Sequence, residues 1–561
     1  MPKKKPQAQK SKYKAAPLPQ PPAHIEINDK FRQALELMEN TNRHVFITGR
    51  AGTGKSTLLE YFRDTTKKQI AVLAPTGVAA LNVRGQTIHS FCRFKPDITL
   101  EKVKKLPKNS YRPRRGGQAD YAASSASSAS GSPDIYQRFD TIVIDEISMV
   151  RADLLDCVEK FLRLNGPRPK HPFGGLQMVF IGDLYQLPPV VTSSERELFA
   201  GSHYETPYFF SSRIFQDLTF DMEFVELEKI YRQTEEDFIG LLNAIRNRSA
   251  TSAQLDRLNF RYDPGFVPPD DEFYITLTST NDLAFERNRE KLARLRGRAF
   301  SYDGFIEGDF ERSSLPTDER LEFKAGAQVM LLNNDLKGRW VNGSIGRVGN
   351  IIHEKGEDDI IQVELQNGLT VDVGPNVWEL FRFGLDPDTH QIVSEPVGAF
   401  TQYPLKLAWA ITIHKSQGKT FDRVVIDFGR GTFAHGQAYV ALSRCTNFQG
   451  LVLKKPIKLG HIRMDWNIVR FLTRFQYKKA DERLSYAQKK ALINEAISEG
   501  RDLEILYLKP DDTKTRRRVH PESIEMMDYM GKRFEGVVAY CFKREGQRHF
   551  RIDRMLELTI L

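Results

Sequence analysis

Gly49-Arg50-Ala51-Gly52-Thr53-Gly54-Lys55-Ser56 fits the phosphate-binding pattern G-x-x-x-x-G-K-[ST]. Glycines at this spacing let backbone N–H groups converge on phosphate oxygens, and a helix starting beside Lys55 adds partial positive charge there. Lys55 is expected to reach the β- and γ-phosphates of ATP and Ser56 to ligate Mg2+, with Gly49, Ala51, Gly52, Thr53, Gly54 and Thr57 completing the cradle. Ile142-Val143-Ile144-Asp145-Glu146 is an apolar run that ends in two carboxylates. Asp145 is expected to hold Mg2+ through water, and Glu146 to orient or deprotonate the attacking water. Gly182-Asp183-Leu184-Tyr185-Gln186 follows another apolar run and supplies an amide, Gln186, able to sense the γ-phosphate. Phosphoryl transfer needs further cations, and Arg232 and Arg444 are the candidates. Both are expected to come from outside the first sheet, so that an arginine meeting ATP as a cleft closes would link hydrolysis to domain motion. Far downstream, Thr412-Ile413-His414-Lys415-Ser416-Gln417-Gly418 puts hydroxyl, imidazole and amide groups in a second strand-to-helix loop. Two such cores closing on ATP suggest a machine that pulls on a polymer.

These residues require elements that place them together. Apolar stretches at 44–48, 69–74, 141–145 and 177–181 read as buried strands, and residues 55–63 as a helix. Alternating strands and helices imply a parallel sheet with its ligands at the carboxyl ends of the strands. A second α/β block starts near 273–277, changes to strand-like texture between 344 and 400, and resumes at 405–412. After about residue 460 come two polar helical stretches and a short β-rich unit. Residues 110–133 interrupt the first block, and the Ser/Ala-rich stretch 122–132 is compatible with a native flexible loop or an engineered linker.

At 561 residues the chain is too long for one hydrophobic core, and three or four folded units are expected. Its formal charge of +10 favours a polyanionic partner, although six lysines before residue 15 supply much of the excess. Residues 1–24 have the composition of a disordered basic tail. No apolar run approaches the roughly 18 residues that span a bilayer, so no membrane partner is expected. Cys92, Cys157, Cys445 and Cys541 are scattered without metal-ligand spacing, as in a reduced cytosolic protein.

The motif order resembles superfamily 1B helicases, in particular the PIF-type (petite integration frequency) DNA helicases near the RecD-like group. The residues that carry this are the P-loop, Ala74-Pro75-Thr76-Gly77-Val78-Ala79-Ala80, Thr87-Ile88-His89-Ser90-Phe91, Ile144-Asp145-Glu146-Ile147-Ser148-Met149-Val150 and Pro172-Phe173-Gly174-Gly175. Tyr231-Arg232-Gln233, the 412–418 run and Tyr439-Val440-Ala441-Leu442-Ser443-Arg444 complete the set. The resemblance covers about residues 30–460. It implies an α/β fold of two RecA-like P-loop motor domains, at 25–225 and 226–460. A wedge insertion would occupy about 92–138 and a small β-barrel insertion about 344–400. It also implies 5′ to 3′ translocation on single-stranded DNA powered by ATP and Mg2+, and unwinding of duplex, quadruplex or hybrid structures. By motif match Pro75, Thr76 and His89 would touch DNA in the first motor domain and Thr412, His414 and Ser416 in the second, with Gln417 and Gly418 nearer the nucleotide. The adenine-reading glutamine that often precedes the P-loop is matched only loosely by Gln33. Single strands and single-/double-strand junctions are the expected partners of a monomer in a bacterial cytoplasm.

Residues 461–500 read as a helical linker, and 501–561 resemble a β-rich WYL domain. Ile505-Leu506-Tyr507, the basic turn at 514–518, Phe534-Glu535-Gly536-Val537-Val538-Ala539-Tyr540 and His549-Phe550-Arg551-Ile552-Asp553-Arg554 carry this second resemblance. Phe534 stands near the place of the name-giving aromatic triplet, which is not literally present. Arg516, Arg517, Arg518, Arg551 and Arg554 read either as a single-strand-binding patch or as a solvated face balanced by acids. For the whole chain, the alternative to a helicase is a single-strand binder whose ATP cycle regulates affinity without unwinding.

Overall fold

The computed structural model describes residues 27–107, 133–191, 204–217, 220–335, 337–353, 356, 358–385, 392–429, 431–432, 434–529 and 531–561. The expected basic tail, the Ser/Ala-rich stretch and residues 108–132 of the expected wedge lie outside them. The chain divides into two compact units, Met1–Leu242 with Ala253–His461, and Asn243–Ser252 with Ile462–Leu561.

The first unit contains two parallel α/β cores. In the first, β1 (His44–Gly49), β2 (Ile70–Ala74), β3 (Gln86–Thr87), β4 (Thr141–Ile144), β5 (Gln177–Ile181) and β6 (Met222–Leu227) form one sheet in the order β3-β2-β4-β5-β1-β6. The strands are near-continuous apolar runs because helices cover both faces. On one side, Phe31 and Leu35 of the helix Asp29–Asn40 and Leu58 and Phe62 of the helix Lys55–Thr65 pack on Val45, Ile47, Val143 and Val179. On the other, Phe46 meets Phe209 and Phe224 at ring separations of 5.6 and 5.8 Å, and Phe180 meets Phe209 at 5.9 Å. Every pairing in this sheet is parallel, with Ile47 opposite Ile181, Ile144 opposite Phe180, and Leu73 opposite Ile144. The register therefore delivers the P-loop, Pro75-Thr76, Asp145-Glu146 and Gly182-Asp183 to a single edge.

The second core is a four-stranded parallel sheet. Its first strand is β7 (Ile275–Thr278), and the chain then runs through a long β excursion before returning to it. The excursion comprises β8 (Ala299–Asp303), β9 (Phe305–Gly308), β10 (Arg320–Lys324), β11 (Gln328–Leu331), β12 (Ile345–Ile352), β13 (Ile360–Leu365), β14 (Thr370–Val373), β15 (Asn376–Leu385), β16 (Ile392–Gln402) and β17 (Leu405–Leu407). These strands form sheets of five, three and two, ordered β14-β13-β12-β11-β17, β15-β16-β9 and β10-β8. Strand structure thus flanks residues 344–400 on both sides. Along β10 the charged Arg320 and Glu322 are exposed while Leu321 and Phe323 are buried, the alternation of a strand with one face in water. The core resumes with β18 (Ala410–Thr412), β19 (Val424–Asp427) and β20 (Leu451–Leu453), in the order β18-β7-β19-β20. Thr412 lies opposite Thr278, so the 413–418 loop leaves from the carboxyl edge of this sheet.

In the second unit, β21 (Leu503–Leu508), β22 (Lys514–Tyr529), β23 (Lys532–Cys541), β24 (Gly546–Arg551) and β25 (Met555–Ile560) form an antiparallel sheet ordered β24-β23-β22-β21-β25. Ile493 and Ala496 of the helix Tyr486–Glu499 join its core with Leu503, Ile505, Val519, Val537 and Phe550. A capping box of Ser485 and Gln488 satisfies the first N–H groups of that helix and fixes where it starts.

His44 begins β1, stacked on Phe220 at 5.0 Å and edge-on to Phe173 at 5.9 Å. Its Nδ1 accepts the Met178 N–H at 3.0 Å, and burial lowers its pKa from 6.5 to about 4. Between those two values the unfolded chain holds a proton that the folded chain lacks, so stability falls as pH falls through the window. The full effect amounts to about 3 kcal/mol. His44→Phe should cost about 1 kcal/mol at pH 7.5, through the orphaned Met178 N–H, yet lose less stability on acidification. Thermal unfolding of both proteins from pH 7.5 down to 4.5 checks this, and parallel acid limbs would contradict it.

Candidate active site

The P-loop connects β1 to the helix Lys55–Thr65. Gly52 and Gly54 take φ values of +79° and +85°, which side-chain-bearing residues rarely adopt. The Lys55 ammonium donates to Gly49 O at 2.8 Å and Arg50 O at 3.0 Å, so it is folded back along the loop. Burial lowers its pKa, while Asp183, Glu146 and Asp145 favour its charge. The first turn of the same helix presents Ser56 and Thr57.

Asp145 and Glu146 leave the end of β4, and the Asp145 N–H donates to Leu73 O at 2.8 Å. Glu146 has φ +50° and ψ +42°, a left-handed conformation that costs a residue with a Cβ about 1–2 kcal/mol. Burial raises the pKa of both carboxyls; on Glu146 the Asp145 charge adds to the rise, and Lys55 opposes it on both. Asp183, at the end of β5, is buried. Its carboxylate accepts from Tyr185 N–H at 3.1 Å and from the Gln186 amide at 3.2 Å. Ser56 and Asp145 offer the hard oxygen donors that suit Mg2+, which keeps several waters and binds through one or two protein ligands plus phosphate. Among the described residues no three His, Cys, Asp or Glu side chains form a metal cage.

The second core closes on this edge. Gln417 donates its amide to Glu146 Oε2 at 2.9 Å and to Gln186 Oε1 at 3.3 Å. An unbroken relay therefore runs Asp183–Gln186–Gln417–Glu146 across the cleft. The Tyr439 hydroxyl accepts the Ala51 N–H at 3.0 Å, and His435 Nε2 donates to Leu184 O at 3.2 Å. Gly436, with φ +70°, lies so close that a Cβ there would collide with the carbonyl oxygens of Tyr185 and Gln186.

The two arginines divide the expected work differently. Arg232 belongs to the rim of the first core rather than the second. It follows β6 by five residues, and its neighbour Tyr231 donates its N–H to Gly52 O at 2.8 Å. From there its guanidinium reaches the second core, donating to Ser443 O and Gly418 O at 3.4 Å each. Gln233 fastens the same crossing to Ser443 O at 3.1 Å and Cys445 O at 3.0 Å. Arg444 is buried within the second core and donates to Val440 O, Ser416 O, Lys419 O and Ser443 Oγ at 2.9–3.3 Å. It thereby holds the 416–419 turn in shape from behind. Burial, with Arg232 beside it, works against its charge, while Glu146 and Asp183 support it.

Residues matched to a DNA track fall into two groups. Thr76 is exposed and N-caps the helix Gly77–Asn82; Pro75, His89 and His414 are half-buried. Thr412 and Ser416 are buried, and their hydroxyls are engaged inside the loop: Thr412 Oγ1 accepts from Lys415 N–H and Ser416 donates to Ile413 O. These two shape the turn that presents His414 and Gln417. Asn342 went unnoticed in the sequence. Its amide donates to Asn82 of the first core at 3.1 Å, its oxygen accepts from Lys419 at 2.6 Å, and its N–H reaches Asn334 at 2.8 Å. Isolated asparagines carry no motif, and the weak signal was Trp340-Val341-Asn342-Gly343 itself, a turn composition between strands.

In the second unit three of the five arginines singled out in the sequence, Arg516, Arg518 and Arg551, pair with acids. Arg516 bonds Glu504 and Glu557, Arg518 bonds Asp502, and Arg551 bonds Asp553 while lying 4.6 Å from the Phe534 ring centroid. Arg517 donates to Thr515 Oγ1 at 3.2 Å. This pairing fits a face balanced by acids better than a cationic track.

The family model described as PIF1-like helicase matches residues 26–115 and 117–256, and that of the WYL domain matches 488–560. The ATP-dependent DNA helicase PIF1 of Xenopus laevis is 32% identical over 424 residues, which are 73% of this chain and 59% of that protein. The chain thus spans less than two thirds of that relative's length. The ATP-dependent DNA helicase Pif1 of Bdellovibrio bacteriovorus is 30% identical over 440 residues, 77% of this chain and 89% of that protein. The crystal structure of Bacteroides sp Pif1 in complex with ADP-AlF4 superposes with a TM-score of 0.68 at 35% identity, covering 81% of this chain and 98% of that one.

The approach at Gly436 leaves no room for a methyl group. Gly436→Ala should bind nucleotide at the P-loop but hydrolyse it at least about tenfold more slowly, because the relay through Gln417 cannot form. Steady-state ATPase assays beside nucleotide-binding titrations check this, and an unchanged kcat would contradict it.

Proposed function

We propose that this chain, which belongs to the PIF1-like helicase family, is an ATP-dependent DNA helicase that moves 5′ to 3′ on single-stranded DNA and separates duplexes at single-/double-strand junctions. The observation that carries the reading is the Gln417 amide, which joins a loop of the second core to Glu146 of the first. Each step of hydrolysis then has a mechanical consequence. The P-loop amides and Lys55 bind the phosphates, and Ser56 and Asp145 would hold Mg2+, which would supply neutralising charge at the phosphate oxygens. Glu146, its carboxyl raised by burial toward neutral pH, orients and deprotonates the attacking water. Arg232, already bridging the cores, supplies positive charge from the rim, and Arg444 keeps the 416–419 turn in the geometry that lets Gln417 reach across. Loss of the γ-phosphate alters the Gln186–Gln417–Glu146 relay, and the turn passes that change to His414, three residues away.

On the polymer side, backbone-tracking contacts from Thr76, Pro75, His89 and His414 need no base-specific hydrogen bonds. The two motor domains, expected at 25–225 and 226–460, are assigned with their boundary after Arg232, because β6 and the Tyr231–Gly52 contact belong to the first core; the protein is proposed to act as a monomer in the bacterial cytoplasm. Among the described residues no helix is long and apolar enough to cross a membrane.

A duplex with a 5′ single-stranded tail should be unwound in the presence of ATP and Mg2+, and one with a 3′ tail should not. Lys55→Ala should abolish unwinding while leaving binding to the tail. ATPase activity indifferent to any single strand, or equal unwinding from both tails, would contradict the proposal.

A further inference from the structure

The crossings made by Gln417, Arg232 and Tyr439 gather at the edge that carries the P-loop. Asn342 makes a crossing apart from them. It lies in the turn between β11 and β12, and the β excursion itself fixes its place. Its N–H donates to Asn334 Oδ1 at 2.8 Å, Val341 N–H donates to Ser344 Oγ at 3.1 Å, and Gly343 takes φ +102° to turn the chain. The side chain then reaches two ways. Lys419 donates its ammonium to Asn342 Oδ1 at 2.6 Å, and the Asn342 amide donates to Asn82 Oδ1 at 3.1 Å. Chemistry settles this orientation: an ammonium has no acceptor and must meet the oxygen, which leaves the NH2 for the first core.

Each end of this bridge leads to a group with work already assigned. Lys419 N–H donates to Ser416 O at 3.0 Å, and Lys419 O accepts from Arg444 at 3.2 Å, so Lys419 belongs to the turn that aims Gln417 at Glu146. Asn82 ends the helix Gly77–Asn82, which Thr76 caps by accepting the Ala79 N–H. Hydrogen bonds along so short a helix make it move as one body. At its other end Gly77 lies against Ser314 with no room for a Cβ. The β excursion therefore grips this helix at both ends.

We propose that Asn342 is a positioning residue that couples the single strand to the ATP cleft. It ties the helix capped by Thr76 to the 416–419 turn, so a strand engaging Thr76 bears on Gln417 without passing through His414. This rests on the DNA-driven reading above and gives the first core's half of the track its own route to the relay at Glu146. The Asn342 bridge and the Gln417–Glu146 bond stand together in one structure, so the bridge requires no opening of the cleft.

The test measures ATPase kcat of the full chain with and without oligothymidylate, and affinity for the same oligomer by fluorescence anisotropy. Asn342→Ala removes both hydrogen bonds and should lower the stimulation by DNA about threefold, the worth of one exposed hydrogen bond, while the oligomer binds as in the wild type. Asn342→Asp keeps the acceptor for Lys419, and Asn82 can turn its own NH2 toward it, so this variant should restore the stimulation. Asn82→Ala changes an exposed residue on the other side of the cleft and should reproduce the loss. The double variant should then be no worse than Asn342→Ala alone. Full stimulation in Asn342→Ala, no recovery in Asn342→Asp, additive losses in the double variant, or weaker oligomer binding in step with the lost stimulation would overturn the proposal. A wild type whose ATPase ignores the oligomer would instead overturn the DNA-driven reading on which it rests, so the two failures are distinguishable.

Discussion

The hydrogen bond from Gln417 to Glu146 is the contact on which the rest of the arrangement depends. Glu146 stands at the end of a parallel strand, and Gln417 in a loop leaving the equivalent edge of a second parallel sheet. Parallel register is what makes their meeting possible. Because all strands of the first sheet point the same way, the P-loop, the Asp145-Glu146 pair and the Gly182–Gln186 turn share an edge, and one amide can address two of them at once. An antiparallel sheet would have scattered these groups over two edges.

The cleft is organised for chemistry at the expense of stability. Lys55, Asp145, Glu146, Arg232 and Arg444 all suffer from burial, which shifts each toward its neutral form. Removing charges from water is rarely repaid fully by pairing them, so such a cluster argues for function. The left-handed backbone at Glu146 points the same way, since strain of this kind persists where surrounding structure over-determines it. Stability comes from elsewhere. The aliphatic layer around Val45, Leu58 and Val143 and the aromatic layer around Phe46, Phe180 and Phe209 hold the first sheet rigid beneath its strained edge. The Pro-Phe-Gly-Gly element is part of that support. Buried Phe173 packs on Phe180 and His44, and Gly174 lies too close to Leu162 O for any Cβ.

Much of this was legible in the sequence, for a physical reason. Phosphate binding is local: a loop of glycines, a lysine and the start of a helix must be contiguous, so the P-loop announces itself, as does an apolar strand ending in Asp145-Glu146. The family resemblance then set the order of the two cores, and the sheets confirm an α/β fold. What sequence could not assign was the side of the cleft each group occupies. Arg232 reads as a residue of the second core because it follows the last strand of the first, yet the Tyr231 N–H ties it to Gly52. Thr412 and Ser416 have the hydroxyls of a nucleic-acid track, but burial gives those hydroxyls to the turn. Asn342 and Tyr439 act through contacts made hundreds of positions away in the chain, and no spacing rule reaches that far.

The central claim is that the 412–418 loop carries information between the ATP cleft and the polymer through the Gln417 amide. The most direct measurement is the ratio of ATPase kcat with and without single-stranded DNA in Gln417→Ala, with nucleotide affinity determined in parallel. The ratio should collapse toward unity while nucleotide binding stays close to wild type. A variant that keeps the wild-type stimulation by DNA would contradict it.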